Sequence, residues 1–111
     1  MKRIWKAFGY SLAGLRAAWA GEAAFREEVL LSFILIPAAF YFAPGRMELI
    51  AMVGSIVLVL IVELLNSAVE ATVNRIGPEI HPLAKKAKDT ASAAVLVALL
   101  LVGFVWCICL F

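Results

Sequence analysis

The sequence predicts an all-α integral membrane protein: three transmembrane helices preceded by an amphipathic helix lying in the membrane interface. Three observations carry this prediction. Of the 111 residues, 65% are hydrophobic, and the mean hydropathy is +1.01, far above a soluble domain. Long apolar runs alternate with short polar islands. The lysines and arginines collect at the flanks of those runs. The length permits one domain, 1–111. The net charge of +2 is too small for a nucleic-acid binder, so none is expected among the partners.

Residues 1–20 form the interfacial helix. Trp5, Phe8, Leu12, Leu15 and Trp19 recur at three and four, while Lys2, Arg3 and Lys6 lie on the other side. That pattern puts an apolar face into the acyl region and cations toward anionic headgroups. Gly9, Gly14 and Gly21 loosen the helix and are expected to allow close approach by a neighbour. Met1-Lys2-Arg3 is basic, but an amphipathic stretch follows it, so no cleavable signal peptide is expected.

The first span covers 23–43. Its uncharged part, from Val29 to Ala43, is only ~22 Å long, so the helix must extend back to Ala23 to cross. This places Glu22 and Glu28 at the membrane boundary. Pro37 is expected to kink the span, and Ala43-Pro44-Gly45-Arg46 to turn the chain. The second span covers 48–72. A polar connector follows at 73–88, with Gly77, Pro78, His81, Pro82 and four basic residues. The third span covers 89–111, with Trp106 suited to an interfacial belt. Cys107 and Cys109 have no zinc spacing and read as apolar filler. Nine of the ten Lys and Arg lie in the N-terminal region or the connector; only Arg46 lies opposite. The N-terminus and the connector are therefore expected in the cytoplasm, and the C-terminus outside.

Chemistry concentrates in Glu63-Leu64-Leu65-Asn66-Ser67-Ala68-Val69-Glu70-Ala71-Thr72-Val73-Asn74. Glu63 and Glu70 differ by about 20° around a helix, and Asn66, Ser67 and Asn74 fall on the same side. Glu63 should lie ~22 Å into the second span, with Glu70 near the cytoplasmic surface. Ionisable groups inside a span are costly and default to a functional reading. With Glu22, Glu28, Lys88, Asp89 and Ser92 they make a cytoplasmic inventory suited to phosphoryl transfer. It holds carboxylates for a hard cation on phosphates, a lysine for phosphate charge, and a carboxylate to take a hydroxyl proton. No P-loop or kinase Gly-rich loop is present. On these residues alone, an enzyme, a proton-coupled transporter and a structural bundle all stay open.

The same stretch resembles the motif of the bacterial integral-membrane diacylglycerol kinases, a family that includes undecaprenol kinases. Gly14-Leu15-Arg16-Ala17-Ala18-Trp19, Glu22-Ala23-Ala24-Phe25-Arg26, Ala87-Lys88-Asp89 and Ser92-Ala93-Ala94-Val95 agree with it, in the right order. The resemblance implies a homotrimer with shared active sites in the bacterial inner membrane. It implies transfer of phosphate from MgATP to diacylglycerol, giving phosphatidic acid, with undecaprenol as the alternative lipid. By motif position, Glu63 becomes the general base, and Glu22 and Glu70 the Mg²⁺ ligands. Asn66, Lys88 and Asp89 would contact ATP, with Arg3, Tyr10 and His81 near the nucleotide. Glu28 and Ser92 would line the lipid cleft. The family motif usually ends in Asp where this chain has Asn74, so a peripheral role is expected there.

Overall fold

A computed structural model describes residues 1–77 and 81–111. Four helices account for nearly all of them: α1 (Lys2–Gly21), α2 (Ala23–Phe42), α3 (Arg46–Ile76) and α4 (Pro82–Leu110). The class is all-helical, as expected. Two helices, α3 and α4, are long and apolar enough to cross a membrane. The 20 residues of α2 include Arg26, Glu27 and Glu28 near its start, so its apolar part is shorter.

Each boundary has a local cause. Glu22 is extended (φ −122°, ψ 107°) and separates α1 from α2. Helix α2 runs unbroken through Pro37 and stops at Ala43, and Pro44-Gly45 bends the chain into α3. Glu48 in the first turn of α3 and Arg75 in its last complement the helix dipole. Gly77 ends α3 at φ +141°, a conformation nearly closed to other residues.

Helix α4 begins at Pro82, so 82–88, expected in the connector, are helical; Pro78 lies outside the described residues. Proline at the first helical position lacks only an N–H that would go unpaired there. The Nδ1 atom of His81 accepts from the Leu83 N–H at 3.1 Å and caps the start.

The interior is a stripe along α3: Met52, Ser55, Ile56, Val59, Glu63 and Asn66, spaced by three and four. It packs against α4 and α2. The latter contributes Phe25, Ser32 and Ala39, seven apart, and α4 contributes Ala98. Small side chains at Ser32, Ala39, Ser55 and Ala98 let the backbones approach. The Ser32 and Ser55 hydroxyls donate to Val29 O and Met52 O one turn back, so neither leaves a polar group unpaired. Trp106, expected in an interfacial belt, is half-buried, and its Nε1–H donates to Met52 O at 3.2 Å.

Helix α1 touches α2 and α3, but Trp5, Phe8, Leu12, Leu15 and Trp19 remain exposed. The three α1 glycines are not sites of close packing within the chain. A Cβ added at Gly9, Gly14 or Gly21 would meet nothing within 4 Å.

Candidate active site

Glu63 is 3% exposed and is the only charged side chain in the interior among the described residues. It belongs to the α3 stripe, so the helix register that buries Met52 and Val59 also turns Glu63 inward. Glu28, from α2, and Asn66, one turn further along α3, are its polar neighbours. The carboxylates of Glu22 and Glu70 are near enough to act on it by charge. Carboxyl groups from α2, α3 and the α1–α2 break thus share one side of the helix bundle.

Open space flanks this cluster on two sides. Between α1 and α3 runs a groove of ≈ 640 Å³ bounded by Gly14, Ala17, Ala18, Glu22, Ser67 and Ala71, among others. Between α3 and α4 lies another of ≈ 540 Å³, with Asn66, Lys86 and Thr90 among mostly apolar walls. A pocket of ≈ 70 Å³ between α2, α3 and α4 has Glu28 on its wall beside Leu35, Val59 and Leu99. Three buried oxygens have no hydrogen-bond partner within the chain: Glu28 Oε2, Asn66 Oδ1 and Ser67 Oγ. Each belongs to a residue lining one of these spaces. Buried polar atoms left unpaired are costly, so each has capacity for a partner from outside the chain.

The other sequence-derived candidates divide. Lys88 is half-buried and Ser92 exposed. They share an α4 face with Leu99, which reaches the Glu28 pocket. Asp89 accepts from Lys85 Nζ at 2.6 Å in an exposed i, i+4 pair. The hydrogen bond and charge of Asp89 hold the Lys85 ammonium above its usual range. Arg3 and Tyr10 are exposed on α1 and line none of the spaces around Glu63. His81 is exposed, and its Nδ1 is engaged in the α4 cap. Asn74 is exposed, one turn beyond Glu70.

Among the described residues no three His, Cys, Asp or Glu side chains converge into a metal cage. Glu22, at the α1–α2 break, and Glu70, two turns along α3 from Glu63, offer hard oxygen donors from two elements. That suits Mg²⁺, which keeps waters and phosphate oxygens and uses one or two carboxylates. Two groups escaped the sequence reading of the site. Ser67 was part of the polar ladder, but only packing shows its hydroxyl buried on the α1/α3 groove. Arg26 has no role assigned by the sequence, yet its guanidinium donates to Trp19 O at 2.7 Å and Ala20 O at 3.2 Å.

Fold and site together define a small all-helical protein, with two helices apolar enough to cross a membrane and a carboxyl group buried in one of them. A family model described as prokaryotic diacylglycerol kinase matches residues 9–110. The diacylglycerol kinase of Pseudomonas aeruginosa is 56% identical over 106 residues, covering 96% of this chain and 86% of that protein. That of Escherichia coli K12 is 48% identical over 108 residues, covering 97% and 88%. That of Helicobacter pylori J99 is 44% identical over 105 residues, covering 95% and 82%. The chain belongs to the prokaryotic diacylglycerol kinase family.

Proposed function

We propose that the protein phosphorylates the free hydroxyl of diacylglycerol with the γ-phosphoryl group of ATP, giving phosphatidic acid and ADP. Family membership supports the kinase activity and its lipid substrate. The observation that carries the residue assignment is Glu63: a carboxyl group in the interior of a membrane-spanning helix, with Glu28 and Asn66 against it.

In this reading Glu63 accepts the proton of the lipid hydroxyl as its oxygen bonds to the γ-phosphorus. The bond from that phosphorus to the β–γ bridging oxygen breaks, and ADP leaves. Asn66 orients Glu63 through its amide and, with Lys88 and Asp89, meets the nucleotide. Glu28 and Ser92 border the lipid side, where the Glu28 pocket is otherwise apolar. Glu22 and Glu70 would hold Mg²⁺, which supplies positive charge to the phosphate oxygens when bound with ATP.

Helix α2 serves as a third span, with α1 in the interface, the N-terminus and the α3–α4 connector on the cytoplasmic side of the bacterial inner membrane, and the C-terminus outside. The Lys and Arg asymmetry supports that orientation. A homotrimer completes the site. Arg3, Tyr10 and His81 line none of the spaces around Glu63 in their own chain, and each chain leaves large apolar side chains on every helix exposed, which supports completion by another copy.

The test is transfer of labelled γ-phosphate from MgATP to diacylglycerol in mixed micelles by the purified protein. Loss of transfer in Glu63→Gln and Glu70→Gln is expected. No labelling of diacylglycerol, with undecaprenol labelled instead, would keep the site and replace the substrate; labelling of neither would sink the proposal.

A further inference from the structure

The break at Glu22 poses an accounting problem for the end of α1. The last carbonyls of a helix have no partner within it and take one from water, a side chain or the next element. The Glu22 N–H donates to Ala18 O at 2.9 Å. The next two carbonyls, Trp19 O and Ala20 O, are taken by one guanidinium nitrogen of Arg26. Arg26 sits in the first turn of α2, where a cation opposes its own helix dipole. The C-terminus of α1, at the negative end of another dipole, offsets that penalty. Among the described residues Arg26 enters no ion pair, although Glu22 and Glu27 are neighbours; the one found is Lys85–Asp89. Its hydrogen bonds go to backbone, and they tie the two helices across the residue between them. The Arg26 N–H donates to Glu22 O at 3.2 Å, so Glu22 is held through its N–H and its carbonyl as well.

We infer that Arg26 is a positioning residue: its guanidinium clamps the α1–α2 corner and thereby aims Glu22 across the α1/α3 groove toward Glu63 and Glu70. Without the clamp, the corner has only the Ala18 and Glu22 backbone bonds to define it. The Glu22 carboxylate would then sample directions away from α3. The inference rests on the proposed Mg²⁺ role of Glu22 for its kinetic consequence, but not for the clamp itself.

The test uses full-length protein in lipid nanodiscs. The first readout is hydrogen exchange of the 19–23 backbone, without nucleotide and with chelator. In Arg26→Met, exchange there should quicken about tenfold, with α3 and α4 unchanged. Arg26→Lys, whose ammonium can reach one carbonyl, should recover part of the protection. The second readout is kinetic. Arg26→Met should raise the free magnesium needed for half-maximal rate by about 10- to 100-fold, as loss of outer-shell support does, with the KM for diacylglycerol unchanged. Unchanged exchange in Arg26→Met would overturn the clamp. Faster exchange with no magnesium shift, while Glu22→Gln does shift it, would overturn the aiming of Glu22. If neither variant shifts magnesium while exchange quickens, the clamp stands and the metal role of Glu22 falls.

Discussion

Replacing Glu63 by glutamine removes a base while disturbing little else. Glutamine has nearly the same shape and offers both a donor and an acceptor beside Glu28 and Asn66. It also takes one carboxylate out of a cluster of four, Glu22, Glu28, Glu63 and Glu70, so the fold should hold. General-base catalysis contributes roughly 10²–10⁴ in rate. Two structural facts locate the loss within that range. Glu63 is 3% exposed, so bulk water cannot substitute freely. Glu28, however, lies alongside with an unpartnered Oε2 and can take the proton less well. The expected loss in kcat is therefore about 10²–10³, or ~3–4 kcal/mol of transition-state stabilisation. Replacing Glu28 as well should cost about tenfold more, because the substitute base is then gone. The assay is steady-state transfer to diacylglycerol in mixed micelles, with the KM for MgATP and the thermal midpoint measured on the same preparations. Both should match the parent. A loss under tenfold, or a loss that tracks a lowered midpoint, would refute the assignment of Glu63 as base.

Trp106→Phe removes the Nε1–H bond to Met52 O but leaves that carbonyl its Ser55 donor. Unfolding in a denaturing detergent titration should show ~1 kcal/mol lower stability with an unchanged KM for MgATP. Lys85 has a raised folded-state pKa through Asp89. Any stability from this fully exposed pair is thus present below the ordinary lysine value of 10.5 and lost as pH rises through the higher folded value. Thermal midpoints of the parent and Lys85→Met should therefore converge above that range. Asn74→Asp restores the residue usual in the family motif at an exposed position one turn beyond Glu70, and kcat/KM in the micelle assay should not change.

Much of this architecture is legible in the sequence because membrane helices are written in composition. Spacing of three and four from Met52 to Asn66 marks the buried face of α3, and it also tells that Glu63 must point inward. What composition does not carry is the rotation of one helix against another. Glu28 is four residues from Ser32 and faces the same way, but only the packing of α2 on α3 brings it against Glu63. Side chain-to-backbone bonds across elements, Arg26 to α1 and Trp106 to α3, are equally invisible, since any carbonyl can accept them. The start of α4 was readable in principle. Pro82 after His81 is as good a helix opening as a loop signal, and here it opens the two turns of helix at 82–88. Arg3, Tyr10 and His81 line none of the spaces around the cluster, because motif order fixes position along the chain and not proximity in space.

The groove between α1 and α3 is bounded by Gly14, Ala17, Ala18, Ala68 and Ala71, with Leu15 and Leu64 as its only large apolar side chains. Its space is therefore encoded by what those residues lack. A soluble enzyme can build a cleft from loops, but a chain with almost all its described residues in four helices has little loop to spend. Leaving side chains off facing helices is the remaining way to open a cavity beside a membrane. The information content of such a site is unusual: its dimensions reside in residues with no chemistry of their own. An exchange that adds two methyl groups at Ala68 would redraw the cavity, whereas the same exchange at exposed Ala93 on α4 would alter only a surface. In this fold, a functional map drawn from polar residues alone would omit the positions that give the site its size.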